Sequence, residues 1–335
     1  SPLTGFLAIL IPYTGIFAKV FAEILDETDK KPQQALNPAS SWLSQMFYTR
    51  VIMAWPQIKA YISYRLECGI RSSAILGFVG LPTLGFELES FFKQGYYAEA
   101  AALLYIFFVL VASLKYLIKT PLIPLYTLTA FIYLPPVANL SWPLVEVFFT
   151  RDIIPAPLRT GDLSGFYLWC INLWQQQAME GVINSLVLSQ IALVCTGLLT
   201  LMLFPFSSPV FFSKLPRALA QTILIVMRSF PEYLLAFIGL LLWGPSMLPA
   251  IVALTLHNSA IIAHLLALQS KQLNFRTDAS QSFNLYFFET LPRLYSQFMA
   301  LLFYRWEVIL RETAILGMLG IPTLGFYIDS AFEEI

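Results

Sequence analysis

The sequence predicts an all-α, polytopic membrane protein, a helical bundle of two tandem units that run parallel to each other. Three observations carry this. Hydrophobic residues make up 58% of the chain and charged residues 12%, against about 45–50% and about 25% in soluble domains. Long apolar runs recur along the chain, which argues for many helices rather than a barrel. The third observation is a stretch that occurs twice, as YRLECGIRSSAILGFVGLPTLGFELES from Tyr64 to Ser90 and YRWEVILRETAILGMLGIPTLGFYIDS from Tyr304 to Ser330. The offset is 240 residues, and 15 of the 27 positions are identical. The alignment pairs Arg65 with Arg305, Glu67 with Glu307 and Arg71 with Arg311, which shared apolar composition alone does not do. The spacing is too long for a solenoid. It reads as two membrane halves in one chain, a build common among transporters.

Taken in order, Leu3 to Ile24 is apolar and long enough to span a bilayer. Asp26 to Ser44 is polar and reads as a loop with a short helix. Thr49 to Gly80 is apolar but carries Arg65, Glu67 and Arg71, and Leu81 to Glu99 is a connection punctuated by Gly and Pro. Ala100 to Leu117 and Pro121 to Val137 are further spans. Asn139 to Gln177 is the longest polar segment and reads as an external loop, with Trp169 and Trp174 fitting an interfacial belt near its end. Glu180 to Phe204 spans again, and Pro205 to Pro216 is a short loop. Ala218 to Trp243 spans with an interruption at Arg228, Pro231 and Glu232. Leu248 to Leu268 spans, Gln269 to Glu289 is polar, and Thr290 to Gly320 repeats the charged helix. Eight candidate spans result.

Loop charges set the orientation. One alternating set of connections holds Lys30, Lys31, Arg50, Lys115, Lys119, Lys214, Arg217, Lys271, Arg276 and Arg293, and is the cytoplasmic one. The other holds Lys93, Arg151 and Arg159. Asp26–Ser44 and Gln269–Glu289 then lie on the same side, so the duplication is parallel. The first span becomes the fourth of a six-helix unit. Residues 1–119 are the C-terminal part of a first unit, and 120–335 a second unit cut short at its C-terminus. The chain begins Ser1-Pro2 without an initiator Met, and the first copy continues through another apolar run where the second stops. The expectation is a piece of a longer protein.

A net charge of zero leaves no nucleic-acid footprint. The three cysteines have no metal-binding spacing. Walker A, HExxH, CxxC and GxSxG patterns are absent, so the chain has no visible means of hydrolysing ATP or doing covalent chemistry. No cofactor is expected.

Glu67–Arg71 and Glu307–Arg311 are i,i+4 pairs on one helix face. An unpaired charge at mid-bilayer costs about 2.5–3.5 kcal/mol on the mild insertion scale, so these residues should face the bundle interior or water. They read either as lining of a translocation path or as ion pairs that pin helix packing. Arg65 and Arg305 have no obvious local partner and would serve equally to anchor the helix at the cytoplasmic interface by snorkelling. Gly77, Gly80 and Gly85, with Gly317, Gly320 and Gly325, read as close helix packing or as a thin-walled gate. Arg228 and Glu232 flank Pro231, a kink or a capped helix start. His257 lies alone on an apolar helix and reads as a satisfied core histidine rather than a ligand or proton relay, and His264 is similar. Every buried Glu has an Arg four residues away, and no lone intramembrane acid stands out as a proton carrier. Pro38-Ala39-Ser40 aligns with Asp278-Ala279-Ser280 at the same offset, ahead of aromatic segments at Trp42 and Phe283. A duplicated short cytoplasmic helix suggests docking to a two-fold partner.

These residues resemble the permease subunits of type I ABC importers, most closely the phosphonate permease family. Its YRxExxxR…A..LG..G…G stretch matches Tyr64, Arg65, Glu67, Arg71, Leu76, Gly77, Gly80 and Gly85, and again Tyr304, Arg305, Glu307, Arg311, Leu316, Gly317, Gly320 and Gly325. The family's RxxPE and GP…ALxLHT stretches look like Arg228, Pro231 and Glu232, then Gly244, Pro245, Ala253, Leu254, Leu256 and His257. The coupling-helix glycine of the family is Pro38 in one copy and Asp278 in the other. The family's GAGGIG is Gly-Leu-Pro-Thr-Leu-Gly at Gly80–Gly85, and Pro12-Tyr-Thr-Gly15 stands where the family has His-Thr-x-Gly.

The resemblance implies an inner-membrane permease carrying phosphonate or a related phosphorus oxyanion, with two permease units fused in one chain. Two ATP-binding cassette subunits would dock at Pro38, Ala39, Ser40 and Trp42 and at Asp278, Ala279, Ser280 and Phe283. A periplasmic or lipoprotein binding protein would deliver the solute. The alternatives are a gradient-driven secondary transporter that uses the Arg/Glu pairs for ion coupling, and a membrane scaffold that does not transport.

Overall fold

The computed structural model describes residues 2–28, 41–78, 81–117, 122–133, 141–244, 246–271, 273, 275 and 283–333. They form helices and turns, and the chain divides into two compact units, Ser1–Ser141 and Trp142–Ile335.

The first unit contains α1 (Pro2–Glu27), α2 (Trp42–Gln45), α3 (Ile52–Phe78), α4 (Leu84–Lys93), α5 (Tyr97–Leu117) and α6 (Ile123–Ile132). Ser41 starts α2 by accepting from the Ser44 N–H at 3.3 Å, and a π-helical turn, Met46–Val51, leads into α3. Aromatic rings join α1 to α3: Phe17 and Phe21 meet Tyr61 edge-on at centroid distances of 5.7 and 6.2 Å. The connection expected at Leu81–Glu99 is instead helical over α4. Thr83 begins it in extended conformation, and Gly95, at φ +80°, ends it. Leu88 is buried there, so packing of an apolar side chain outweighed the Gly and Pro punctuation.

The second unit contains α7 (Trp142–Val147), α8 (Ala156–Arg159), α9 (Leu163–Leu173), α10 (Met179–Ser207), α11 (Lys214–Ser229), α12 (Glu232–Trp243), α13 (Leu248–Ser270), α14 (Leu291–Gly317) and α15 (Leu324–Glu333). Its centre is α13, which packs against α10, α11, α12 and α14. Pro249 sits in its first turn, where a missing N–H costs nothing. Phe204, Leu224, Ile262, Leu266, Leu294 and Phe298 form a core drawn from four helices. Lipid tails are as apolar as these side chains, so burial alone does not hold such helices together, and close approach and hydrogen bonds must. The inward face of α10 is built for that, with Gly181, Ser185, Ser189, Ala192, Thr196, Gly197 and Thr200 all buried. Ser208 and Ser270 hydroxyls meet at 2.7 Å, and the Tyr286 hydroxyl donates to the Leu201 carbonyl at 2.8 Å.

Among the described residues, three stretches are long and apolar enough to cross a membrane: Gly5–Asp26, Leu163–Ser207 and Leu248–Ser270. The last two lie in the second unit. The external loop expected over Asn139–Gln177 is helical through much of its length, and α9 continues through a π-helical turn, Trp174–Ala178, into α10. Asp162 starts this run, its side chain accepting from the Gly165 N–H at 3.0 Å. α3 and α14 are each 27 residues long but carry several charges, which sets them apart from the apolar spans. The single span expected at Ala218–Trp243 is two helices, α11 and α12, bent by 86° at Phe230-Pro231. Pro231 has no N–H to continue the ladder, and the residue before a proline is driven out of the helical region, here to φ −70°, ψ 124° at Phe230.

The turn after each charged helix has the same local geometry in both copies. A Cβ on Gly77 would lie 2.1 Å from the Phe86 nitrogen and 2.5 Å from the Gly85 carbonyl carbon, and on Gly317 it would lie 2.2 Å from the Phe326 nitrogen and 2.5 Å from the Gly325 carbonyl carbon. The Phe86 N–H donates to Thr83 O and the Phe326 N–H to Thr323 O, both at 3.0 Å. These two glycines let backbone touch backbone. Gly320 is glycine for another reason: its φ is +83° and nothing lies within 4 Å of where a Cβ would be.

Candidate functional site

The break between α11 and α12 exposes backbone that α13 then satisfies. Phe230 is the last residue before Pro231, so its carbonyl lacks the helical partner it would otherwise have. His257 supplies one, with Nδ1 2.9 Å from Phe230 O. The other ring nitrogen, Nε2, lies 3.4 Å from Oε2 of Glu232, the first residue of α12. One imidazole, only 3% exposed, therefore bridges both sides of the break. Glu232 is well placed electrostatically, because a carboxylate in the first turn faces the positive end of the helix dipole.

The neighbouring helix face adds to this cluster. Asn258, fully buried beside His257, donates from Nδ2 to Leu254 O at 2.9 Å. Glu312 reaches in from α14 and hydrogen-bonds both Glu232 and Asn258, with Arg305 within electrostatic range. Its Oε2 has no exposed surface and no partner among the described residues. Arg305 and Glu312 are seven residues apart, two turns on one face. No group of three or more His, Cys, Asp or Glu side chains able to hold a metal occurs among the described residues.

The residues singled out in the sequence fall in different places. Glu307 and Arg311 form their ion pair at 3.4 Å (Oε1 to Nη2), but the side chains are 70% and 63% exposed on the surface of the second unit. They do not face that unit's own interior. Arg65 has a partner after all: its Nε donates to the Tyr61 hydroxyl at 2.7 Å, and its guanidinium lies over the rings of Tyr61 and Tyr13 at 5.3 and 5.9 Å. Tyr61 stands four residues before Arg65, and that spacing was readable. Trp42 and Phe283 are 69% and 79% exposed. The side chains of Glu67 and Arg71, and the residues Gly80, Pro38, Ala39, Ser40, Asp278, Ala279 and Ser280, lie outside the described residues. Glu312 overturns the expectation that every buried acid has an arginine four residues away: Val308 and Leu316 occupy those positions. The signal was a difference between the copies, since Ser72 stands where the second copy has Glu312.

Long apolar helices, a sharply bent pair and a buried polar cluster define the class: an all-α polytopic membrane protein. Comparisons narrow this. The chain is similar to a protein assigned to a phosphite transport system of Stutzerimonas stutzeri as its permease, 32% identical over 118 residues, 35% of this chain and 45% of that protein. It is similar to a phosphate-import permease protein of Mycolicibacterium smegmatis, 28% identical over 116 residues, 34% of this chain and 22% of the relative. A cryptic phosphonate transport system permease protein of Escherichia coli is 25% identical over 112 residues, 33% of this chain and 92% of that shorter relative. The match thus spans less than half the length of the first two relatives. No family model matches the chain, and no solved structure matches it.

Proposed function

We propose that the chain is the membrane-spanning permease of an ABC importer that moves a small phosphorus oxyanion into the cytoplasm. The observation that carries this reading is its likeness to permease proteins named for phosphite, phosphate and phosphonate transport, at 25–32% identity over about a third of the chain. The repeated Arg/Glu-bearing helix supports it, because two copies in one orientation supply both halves of a pathway. Residues 1–119 are the end of one permease unit and 120–335 most of a second.

In this reading the pathway is lined by Arg65, Glu67, Arg71, Arg305, Glu307 and Arg311. The exposure of Arg311 on its own unit's surface leaves a guanidinium available to an anion. Two ATP-binding cassette subunits dock at Pro38–Trp42 and Asp278–Phe283 and hydrolyse the ATP, and a periplasmic or lipoprotein binding protein delivers the solute across a bacterial inner membrane. The test is uptake in proteoliposomes holding the full-length permease, its ATPases and its binding protein. Radiolabelled phosphite, a phosphonate and phosphate are offered against sulfate. ATP-dependent uptake of a phosphorus oxyanion, abolished by Arg311→Ala, is expected. Uptake that Arg311→Ala leaves intact would remove the pathway assignment, and equal uptake of sulfate would remove the substrate class.

A further inference from the structure

The polar core of the second unit holds more chemistry than packing requires. Three bases stand in a row on three helices: Glu312 on α14, Glu232 on α12 and His257 on α13. Glu312 meets Glu232 carboxyl to carboxyl, and Glu232 meets His257 Nε2 at 3.4 Å. The other side of the ring is fixed. A carbonyl oxygen only accepts, so Nδ1, 2.9 Å from Phe230 O, carries a hydrogen. An ionised carboxylate only accepts, as does a ring nitrogen without its hydrogen. Each of the two contacts therefore needs one proton, and two contacts across three bases need two protons wherever they sit. Without them the trio carries a charge of −2; with both it is neutral. Two carboxylates in contact, both ionised, repel each other, and burial raises the cost.

We propose that Glu232, His257 and Glu312 form a buried proton-binding site that holds the α11–α12 break in its bent form. The site straddles the break: Phe230 closes α11, Glu232 opens α12, and both are held from α13 by one ring. Losing a proton removes one of the two contacts in the chain and loosens the hold on the bend. Charged and polar groups face the trio from the surrounding helices, and Arg228 stands four residues before Glu232. Arg305 on α14 acts on Glu312, and Asn258 on α13 hydrogen-bonds it. Arg228 at the end of α11 and Lys271 beyond α13 lie within electrostatic range of His264, seven residues from His257. The buried face of α10 has no charged side chain. The site belongs to one unit, because the positions 240 residues before His257 and Glu312 are Phe17 and Ser72. It stands independently of the solute carried.

The test is infrared spectroscopy of the full chain in nanodiscs at neutral pH, comparing water with deuterium oxide, together with the distance between spin labels at Leu219 on α11 and Leu241 on α12, both exposed. Expected is the carbonyl band of a protonated carboxylic acid that is lost in Glu312→Gln, whose amide replaces the acid's hydrogen-bond donor. As pH is raised, the wild-type band should disappear and the label distance change together, while Glu312→Gln, which leaves only the Glu232–His257 proton to lose, shows no distance change at the pH where the wild-type band disappears. Should Glu312→Gln fail to fold, Glu232→Gln removes the other carboxyl and must likewise remove the band. A folded wild type without a carboxylic-acid band, a band unchanged in the variants, or a label distance that ignores the band's loss would each overturn the proposal.

Discussion

Replacing Gly317 with alanine tests the packing of the repeated turn. The added methyl would lie 2.2 Å from the Phe326 nitrogen, 2.5 Å from the Gly325 carbonyl carbon and 2.7 Å from Thr323 Oγ1. Two of these are backbone atoms, so no side chain can rotate away. The shortest contact falls about 1.2 Å below ordinary van der Waals distance, and α15 must separate from α14 to relieve it. Overpacking of this kind costs about 1–3 kcal/mol. The separation also strains the bonds that seat the turn: Thr323 Oγ1 to Thr313 O at 2.9 Å, and the Leu324 N–H to Ser185 Oγ at 2.9 Å. Losing one of them adds about 1 kcal/mol. The sum is roughly 3 kcal/mol, or about a 140-fold shift toward the unfolded side. Reversible unfolding of the purified chain in mixed detergent reads this directly. Two controls calibrate it: Gly320→Ala should cost about 1–2 kcal/mol from its left-handed backbone alone, and Gly15→Ala, in open space on α1, should be neutral or stabilising by up to about 1 kcal/mol. A Gly317→Ala protein as stable as wild type would refute the close-packing argument and return the gate reading of these glycines to contention.

Other outcomes follow from the same geometry. Ser185→Ala removes the acceptor at the start of α15 and should cost about 1 kcal/mol in the same unfolding assay, while leaving α13 amides as protected from exchange as before. Arg65→Lys trades a guanidinium lying over two tyrosine rings for a point charge, and should destabilise the first unit by about 1 kcal/mol. Arg311→Ala should change stability by less than about 0.5 kcal/mol, because its pair is exposed, so any loss of transport there reports on function. At Asp162, hydrogen bonds from the Gly165 backbone N–H and the Ser164 side chain hold the carboxyl below its ordinary value. A lowered folded-state value means that the cap contributes above the ordinary carboxylate range and is lost as pH falls through the folded value. Exchange of the Gly165 amide should therefore speed up in acid relative to its intrinsic rate, and Asp162→Asn should abolish that extra dependence.

Apolar length and the repeat at 240 residues made the helical class legible, because neither depends on tertiary partners. Local competition was harder to read. Leu81–Glu99 and Asn139–Gln177 carry turn residues, yet the buried Leu88 in the first and the Asp162 cap in the second favour helix. Pro231 announced an interruption but not its angle, which depends on what α13 offers the freed carbonyl. The polar core was the least visible part. His257, Glu232 and Glu312 lie on separate helices, and their meeting is set by packing rather than spacing. Sequence spacing did find the Glu307–Arg311 pair, but its exposure on the second unit is a property of the folded surface that spacing does not carry.

The most direct test of the permease reading is co-purification of the full-length protein from its native membrane, followed by an ATPase assay on what accompanies it. The account predicts a stoichiometric pair of ATP-binding subunits, lost when Ala279 and Ser280 are replaced by bulky charged residues. It also predicts ATPase activity stimulated by a phosphorus oxyanion with its binding protein. A chain that purifies alone, and that drives uptake only down a proton gradient, would contradict it.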